Sequence, residues 1–532
     1  MIAKGEPHFM KYCFALFFTF CLQLTVDAQT YSIEWSEMER SKGKLIYLLP
    51  NKVNEFFALR WTGGRLLGSY QVSKHENLKL TGSGRIRLIA EESMANFEGA
   101  RIIGGKFVVF LSDRREGENH FYMQKYDDAL KPVGEPIKLA SYSLDRKRAK
   151  GWFEVKLSAN KKYFGVVWEV PGRKEERDLY GFKIYDNELN LINDGEYPLP
   201  FDPDLSVIHS HHISNSGDYF LALTEYQEGE KRTFLRNRLN YKALHIYHIT
   251  DDGLQDYKLD LEGKRVEAMA MTSDDKGVFT ITGIYGKMKE SGVSGVFHQR
   301  VDLNTEQKLD EGFKEFTEEF IVQGWTDRER KRQERREDRG KEDAQLYNYK
   351  MREATILDDG SIVGTMEQYY IQVRTYTDTR SGQSSSTYYY YYNDIIAYKI
   401  NAEGDFDWVE KVRKYQVSTN DGGPFSSYES FIDNGKVYFI FNDNVRNYNE
   451  DGVFSDNDRL YTANYGRRKN AVALAEIDME TGEKERRTFF DRTEIDALAV
   501  PKLFDVNYST GEMILYSIWG RKEKIGVLRF KK

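Results

Sequence analysis

The chain has 532 residues, of which 14% are aromatic and 30% are charged, and its formal net charge is -7 at pH 7. The many aromatic residues and only 10 prolines argue against disorder and favour strand-rich structure. The mild acidity excludes an electrostatic case for a nucleic-acid partner. The length predicts more than one domain, unless the chain is built from repeats that pack only on their neighbours.

The N-terminus has the composition of a secretory signal peptide. Two lysines supply positive charge, and residues 12–26 are mostly apolar. We expect cleavage before Gln29, which gives a signal peptide over residues 1–28 and a mature chain over 29–532. An uncleaved anchor is the alternative, but the apolar run is short for a membrane span. We therefore predict export to the periplasm, the cell surface or the medium, with no membrane span after cleavage.

Both cysteines, Cys13 and Cys21, lie in the predicted signal peptide. The mature chain therefore has no disulfide and no thiol chemistry. A large exported chain without disulfides is typical of a bacterial envelope protein.

A first series of tight turns recurs along the mature chain. Each turn is rich in Gly, Asn or Asp, and a short apolar run such as 107–111 follows it. Runs that are apolar on both faces are typical of strands sandwiched between two sheets. The turns are centred on Asn54, Gly105, Lys161, Gly217, Gly277, Gly360, Gly435 and Gly511.

A second series of turns occurs in phase with the first. In six units, an alternating strand such as 244–249 ends in a turn rich in Asp, Asn or Gly. Two turn series in step predict a repeated unit of four antiparallel strands. The second turns begin near residues 126, 185, 249, 301, 400 and 477.

This four-stranded unit resembles the blade of a β-propeller, as in WD-repeat and kelch-like chains. The sequence lacks the Trp-Asp and double-glycine series of those two families, so the resemblance is to the fold alone. It implies an all-β chain with a single propeller of eight four-stranded blades, with seven as the alternative. The last unit has only three strands, and residues 30–35 can supply the fourth and close the ring. A pair of β-sandwich domains is the rival architecture.

Three insertions interrupt the late units. The first interrupts the fifth unit and contains the run 327–339, which is dense in charge of both signs. Opposite charges three and four residues apart predict one solvated helix that ends near Gly340. A helix that docks a partner is the functional alternative. The insertions span residues 316–345, 368–393 and 442–470.

The second insertion is predicted to be a long hairpin with a flexible polar tip over 377–386. Tyrosine gives large contact area at low entropic cost and stacks on sugars or side chains. We therefore predict an exposed partner surface. The alternative is that alternate tyrosines pack inside the blade. The predicted surface comprises Tyr376, Tyr388, Tyr390 and Tyr392.

The third insertion contains a candidate calcium loop. Asn447, Asn449 and Asp451, followed by Gly452 and Asp458, match the spacing of ligands in such loops. The loop departs from the usual pattern because its first ligand is Asn and its last is Asp. A polar turn-rich loop without metal is the alternative, and no other cofactor is predicted.

His209 and His211 lie on a strand predicted to be innermost. Residues two apart share one face of a strand, so both side chains would point into a central channel. Metal or acid–base chemistry would need a third group from another blade. Hydrogen-bonded or channel-lining histidines are the alternative. No catalytic residue is predicted, because most carboxylates lie in hairpin turns and no hydrolase, metalloprotease or nucleotide-binding motif is present.

These observations favour a non-enzymatic exported propeller that binds a protein or glycan partner in the cell envelope. Binding would use one face of the ring and the late insertions. The alternative is a hydrolase or lyase acting on polysaccharide at the channel mouth, with carboxylates converging on His209 or His211. Absent motifs do not exclude an enzyme, because propeller sites assemble from separate blades. A purely structural envelope component is the third hypothesis.

Overall fold

A computed structural model describes most of the chain from residue 31 onward, and it is nearly all β. The all-β prediction is therefore confirmed. The predicted signal peptide and Asp458 lie outside the described residues. These residues are 31–63, 68–144, 151–172, 177–202, 205–227, 241–250, 253–259, 261, 263–288, 290, 292–338, 344–456, 459–466 and 468–530.

The strands form antiparallel sheets that follow one another along the chain. Two N-terminal strands precede the first two sheets, which are separated by a two-stranded ribbon. The N-terminal strands are β1 (Tyr31–Trp35) and β2 (Glu39–Arg40). The first sheet, the ribbon and the second sheet comprise β3 (Lys44–Pro50), β4 (Glu55–Gly63), β5 (Gly68–Glu76), β6 (Lys79–Arg85); β7 (Ile89–Ala90), β8 (Ser93–Met94); and β9 (Asn96–Ile103), β10 (Lys106–Arg115), β11 (Glu118–Tyr126), β12 (Pro132–Ser143).

The third, fourth and fifth sheets each contain four strands whose order in the sheet follows the chain. They comprise β13 (Trp152–Leu157), β14 (Tyr163–Val170), β15 (Leu179–Asp186), β16 (Leu191–Pro198); β17 (Ser206–Ile213), β18 (Tyr219–Tyr226), β19 (Tyr241–Thr250), β20 (Gly253–Asp256); and β21 (Lys264–Ser273), β22 (Val278–Lys287), β23 (Gly295–Asp302), β24 (Gln307–Glu315).

Two helices, α1 (Glu318–Val322) and α2 (Asp327–Glu337), join the fifth sheet to the sixth. The first insertion therefore follows the fifth sheet. The sixth and seventh sheets also have four strands each. They comprise β25 (Tyr349–Ile356), β26 (Ile362–Thr377), β27 (Ser384–Ile400), β28 (Phe406–Thr419); and β29 (Tyr428–Asp433), β30 (Lys436–Asn444), β31 (Asn470–Asp478), β32 (Lys484–Asp491), with a 3-10 turn at Val445–Asn447.

The eighth sheet contains both ends of the described chain. β1 pairs with the C-terminal strand from Tyr31 opposite Phe530 to Trp35 opposite Gly526, as predicted for the N-terminal strand. β2 also pairs with this C-terminal strand. The sheet follows helix α3 (Arg492–Ile495) and comprises β33 (Leu498–Ala499), a 3-10 turn at Pro501–Leu503, β34 (Asp505–Asn507), β35 (Glu512–Trp519) and β36 (Lys522–Phe530), together with β1 and β2.

The predicted turns are confirmed. All eight residues chosen as first-turn centres have positive φ and lie between the first and second long strands of a sheet. The six second turns lie between third and fourth strands. Lys161 is the unexpected member, because a left-handed φ of 56° is unfavourable for a residue with a long side chain.

Apolar side chains fill the spaces between successive sheets. Phe57 stacks on Phe107 between the first and second sheets, with ring centroids 5.5 Å apart. Phe220 and Phe279 lie 4.1 Å apart between the fourth and fifth. Each sheet is thus covered on both faces by its neighbours, which explains the two-sided apolar runs. The layout is propeller-like, not a pair of sandwiches.

The first and last sheets also contact each other. Arg60 on β4 and Glu523 on β36 form a buried ion pair of 2.6 Å. Asn507 Nδ2 donates to the carbonyl of Asn51 at 2.9 Å. Among the residues that the structure describes, none of the helices has the length and apolar character that a membrane span requires.

Candidate functional site

The three predicted insertions meet beside the sixth sheet around a cleft of about 1100 Å³. We call it the insertion cleft. The first insertion supplies residues 323–329 and three further bases of α2. The second insertion supplies its first and last residues, Gln368 and Asn393, and the third supplies Arg459 and Leu460 on the opposite wall. Residues 413–415 of β28 form the floor. The lining includes Gln323, Trp325, Arg328, Lys331, Arg332, Arg335, Gln368, Asn393, Asp394, Arg413, Lys414, Tyr415, Arg459 and Leu460.

Helix α2 presents a basic face to the cleft. Arg328, Lys331, Arg332 and Arg335 are three or four residues apart, so they share one side of the helix, and all are exposed. The sequence predicted a solvated helix in this run, and the helix is confirmed. The predicted pairing of opposite charges is not seen on this face: within the described parts of the chain, these four side chains form no ion pair. Their charge faces the cleft.

Three acidic residues line the cleft, against seven lysines and arginines, and two of the three acids have other partners while Asp327 is exposed. Glu329 completes a capping box: its Oε2 accepts from the Thr326 amide at 2.9 Å and from the Thr326 hydroxyl at 2.8 Å. Asp394 accepts from the Lys414 amide at 2.9 Å, and burial raises its pKa above the usual range. The electrostatic balance of the cleft is therefore positive.

Apolar contacts and one lysine hold the first insertion against the body. Phe316 stacks on Phe320 at 4.9 Å, and Ile321 is buried. From β28, Lys411 Nζ donates to the carbonyls of Phe320 at 2.5 Å and Ile321 at 3.3 Å, which terminates α1 favourably. Burial lowers the pKa of Lys411 to about 8. The anchored α1 fixes the position of α2.

A buried ion pair forms the floor of the cleft. Lys414 Nζ lies 2.8 Å from Glu367 Oε1, and the two side chains are only 0% and 2% exposed. The Ser427 hydroxyl donates to the other carboxylate oxygen at 2.7 Å, and Lys414 also donates to the carbonyl of Tyr392 at 2.8 Å. Burial lowers the pKa of Lys414, while the Glu367 carboxylate opposes that shift. The floor is therefore a hydrogen-bonded, rigid network.

The third insertion is tied to the first by Arg413. Its Nη1 lies 2.7 Å from Asp456 Oδ1, and its Nη2 donates to the carbonyl of Gly324 at 3.5 Å. On the far side of this arginine lies a smaller cavity of about 540 Å³, which Phe454 and Arg486 also line. One side chain thus connects both walls of the insertion cleft.

The candidate calcium ligands hold the loop backbone. Asn447 Oδ1 accepts from the Tyr461 amide at 2.8 Å, and Asn449 Oδ1 accepts from the Val453 amide at 2.8 Å. Asp451 lies in the turn of that loop, and Asp458 lies outside the described residues. The Asx turn explains the residue spacing equally well. Calcium binding stays a prediction.

The tyrosine-rich hairpin is present, but its four predicted surface residues do not share one face. Tyr388 pairs with Val373, and Tyr390 extends the same face, whereas Tyr376 pairs with Ser385 on the opposite face. Tyr376 is 70% exposed and Tyr388 is 44% exposed. The prediction for Tyr392 is wrong, because its ring is buried beneath Lys502 and its hydroxyl donates to the carbonyl of Gly422 at 3.1 Å.

The face of Tyr376 carries a row of aromatic rings. We call it the tyrosine strip: Tyr415, Tyr370, Tyr391, Tyr389 and Tyr376, in order from the cleft to the hairpin tip. Tyr370 and Tyr391 stack with centroids 4.5 Å apart. The sequence analysis chose the even-numbered tyrosines of β27 as the exposed surface. The pairing register of β26 and β27 instead places the odd-numbered tyrosines, Tyr389 and Tyr391, on the face of the strip, and this register could not be predicted from the sequence.

The prediction that His209 and His211 share one face is wrong. β17 has a bulge between Ile208 and Ser210, which reverses the alternation of side chains. His209 Nε2 hydrogen-bonds the Thr224 hydroxyl at 2.7 Å, and His211 Nδ1 hydrogen-bonds the Tyr219 hydroxyl at 2.6 Å. Thr224 and Tyr219 lie on opposite faces of β18.

Burial also disfavours the charged form of the two histidines that follow the bulge. It lowers the pKa of His211 to about 4 and that of neighbouring His212 to about 3. His209 is exposed and His211 half-buried, so His209 alone retains the exposure predicted for a channel residue.

Three carboxyl groups on first strands of late sheets lie close enough to interact. They are Glu353 on β25, Glu429 on β29 and Asp505 on β34, with Tyr508 beside them. We call them the inner carboxyl cluster. Burial raises the pKa of all three, for Glu429 well above its usual range and for Asp505 to about 6. Sequence reasoning missed them because it examined only carboxylates in turns.

The carboxyls therefore converge as one hypothesis required, but the histidines do not join them. His211 has Glu154 and Lys156 of the third sheet as its charged neighbours. The cluster comes from the sixth, seventh and eighth sheets.

The sheets define the class of the protein as a propeller-like all-β fold. No protein-family model and no curated protein sequence matches the chain.

Several solved structures are similar to the chain at low identity. Sqt1 of Chaetomium thermophilum has 10% identity and a TM-score of 0.36, over 93% of this chain and 98% of that chain. The acylaminoacyl peptidase of Pyrococcus horikoshii has 10% identity and a TM-score of 0.34, over 91% of this chain and 59% of that chain. The polysaccharide lyase Uly1 has 10% identity and a TM-score of 0.31, over 96% of this chain and 94% of that chain. Likeness at this level carries no argument about function.

Proposed function

We propose that the protein is an exported, non-enzymatic β-propeller that binds an acidic partner, protein or glycan, in the insertion cleft. The observation that carries the proposal is that all three insertions wall one cleft whose helix presents four cations with no ion-pair partner among the described residues. A cleft lined by one sign of charge concentrates ligands of the opposite sign.

The proposed ring has eight blades and is closed by the N-terminal strand. Apolar clusters between successive sheets support this count, and the cluster that joins the seventh and eighth sheets continues into the first. The pairing of β1 with β36 supports closure. A closed ring gives the insertions a rigid base.

Charge reversal on α2 tests the binding function. We expect the double variant Arg328→Glu, Arg332→Glu to bind immobilised poly-L-glutamate and polygalacturonate roughly tenfold more weakly or worse, since it replaces attraction by repulsion. Added salt should weaken wild-type binding in the same way. The double variant Arg330→Glu, Arg336→Glu is the matched control, because neither residue lines this cleft.

Two results contradict the proposal. One is equal loss of binding in the control variant. The other is a wild-type protein that is retained by neither polymer at low salt.

A second candidate function is hydrolysis or lysis of polysaccharide, with the inner carboxyl cluster as acid and base. The raised pKa of Glu429 favours it, because a carboxyl whose protonated form is favoured by its surroundings is suited to act as a general acid. We expect such an enzyme to release reducing ends from polygalacturonate or chondroitin sulfate, and Glu429→Gln to abolish release. Absence of products from both polymers with wild-type protein would reject this candidate.

A further inference from the structure

We infer that the acidic partner is a linear polysaccharide that carries carboxylate or sulfate groups, and that it extends from the insertion cleft along the tyrosine strip. The inference rests on the proposed function and specifies its ligand. It combines two features of the structure: a cationic cleft and a row of aromatic rings that begins at the rim of that cleft.

The cleft and the strip form one continuous surface. Asn393 and Tyr415 are directly paired on β27 and β28, and both line the cleft. Tyr376 and Ser385 form the corresponding pair near the tip. The strand between Asn393 and Ser385 spans roughly 26 Å at about 3.3 Å per residue. A chain bound in the cleft can therefore continue over the ribbon without leaving the surface.

The strip has the chemistry of a sugar-binding surface. The exposed rings of Tyr376 and Tyr415 offer apolar faces on which the C–H face of a sugar can stack, and the tyrosine hydroxyls can bond sugar hydroxyls. Tyr370 and Tyr391 stack on each other, so each of these two rings offers its edge and at most one face. Tyr389, Tyr391 and Tyr370 are half-buried, so their orientation is fixed while an edge or face stays accessible. Arg374 lies over the Tyr389 ring at 5.1 Å, which adds a cation within the strip.

The cleft has the chemistry that recognises the anionic groups. Arginine forms paired, parallel hydrogen bonds with a carboxylate, and α2 places three arginines along one face. A globular protein partner would need a well-packed apolar centre, whereas the residues that line this cleft are mostly charged or polar. Anions repeated along a chain of sugar rings match both features at once.

The opposite face of the ribbon supplies a matched control. Ile371, Val373 and Tyr388 are exposed there, at 46%, 50% and 44%. Tyr388 lies in the same strand as Tyr389 and Tyr391 but points away from the strip. Its replacement removes an exposed ring of the same kind without altering the strip.

The test measures binding of full mature protein to four probes by titration calorimetry or affinity electrophoresis. The probes are polygalacturonate, chondroitin sulfate, poly-L-glutamate and a thymidine oligonucleotide. We expect wild-type protein to bind at least one of the two polysaccharides more tightly than poly-L-glutamate. The double variant Tyr389→Ala, Tyr391→Ala should weaken that binding roughly tenfold, with poly-L-glutamate unaffected. Tyr388→Ala should change neither, and circular dichroism should show that all variants fold.

The outcomes separate the inference from the proposed function. If poly-L-glutamate binds as tightly as the polysaccharides and the strip variant changes nothing, the inference is wrong while acidic-partner binding stands. If none of the polyanions binds, both are wrong. Tighter binding of the oligonucleotide would identify a single-stranded nucleic acid as the ligand and would overturn the inference. Tyr391→Phe, which keeps the ring, should retain most of the affinity.

Discussion

Ionisable residues on the first strands of the sheets and ionisable residues around the insertion cleft are in opposite electrostatic environments. On the first strands, burial lowers the pKa of His211 and His212 and raises that of Glu429 and Asp505, which favours their neutral forms. Around the cleft, the bases of α2 stay exposed and charged, and the lysine of the floor keeps a carboxylate partner. The charged form is favoured where the fold supplies water or a counter-ion, and it is disfavoured where burial outweighs both.

This contrast indicates where ligand binding is least costly. A ligand that approaches the inner carboxyls meets groups whose ionisation the fold already opposes. A ligand that enters the cleft meets the solvated cations of α2 beside a hydrogen-bonded floor, so little reorganisation is needed.

The largest effect is expected at the floor of the cleft. Lys414→Met leaves the Glu367 carboxylate buried without its cation, and we expect the free energy of unfolding to fall by about 3–5 kcal/mol. The measurement is urea denaturation at pH 7. The exposed pair between Lys484 and Glu410 is the control, since Lys484→Met should cost less than about 1 kcal/mol.

A double variant identifies the cause of that loss. Lys414→Met combined with Glu367→Gln removes both charges, so it should recover much of the lost stability. If Lys414→Met alone is as mild as the control, the floor does not depend on an ion pair, and the contrast between the two regions disappears.

A smaller effect is expected at the histidines as the pH falls. Their folded pKa lies below the unfolded value of about 6.5, so between pH 6.5 and about 4 the unfolded chain binds more protons. Stability is therefore complete above pH 6.5 and falls on acidification, by roughly 2 kcal/mol for each buried imidazole. His211→Gln and His212→Gln should each flatten the profile of unfolding free energy against pH. An unchanged slope in both variants would show that these rings are solvated.

The inner carboxyls should show the opposite dependence. Asp505 has a folded pKa of about 6 against an unfolded value of about 3.9, so between about pH 4 and pH 6 the folded chain binds more protons, and stability falls as the pH rises through this window and levels off above it. Asp505→Asn removes this loss. Because the side chain is only half-buried, we expect the variant to gain about 1 kcal/mol relative to wild type between pH 5 and pH 7.5. No relative gain would place Asp505 in contact with water or a cation.

Most of the fold was predictable because backbone conformation is a local property. Residues such as Gly277 and Asn434-Gly435 reach positive φ cheaply, so each tight turn is visible in the sequence, and the strands follow between the turns. The N-terminal strand was predictable because the last unit lacked one. The helix α2 was predictable from composition, although its pairing pattern was not.

The site was harder to predict because it depends on register and on contacts between distant segments. One bulge after Ile208 places His209 and His211 on opposite faces of β17, and no residue type in the sequence predicts this bulge. The pairing of Tyr376 with Ser385 decides which tyrosines share a face. The basic face of α2 could have been predicted, because its four bases are three or four residues apart in the sequence. It was missed because the run 327–339 contains nearly as many acids as bases, which suggested a face of paired charges.

The smallest effect on stability should occur where the largest effect on binding is expected. Arg332 is exposed on α2, so Arg332→Glu removes no buried contact and should change the free energy of unfolding by less than about 0.5 kcal/mol. The new carboxylate lies four residues before Arg336 and four after Arg328, which favours ion pairs worth about 0.2–0.5 kcal/mol each. Thermal unfolding of the variant should therefore match that of wild type, while its retention by polygalacturonate falls. A large loss of stability would mean that the bases of α2 hold the insertion in place. The cleft would then have a structural role, as the first strands of the sheets do, and would not be a charged surface for a ligand.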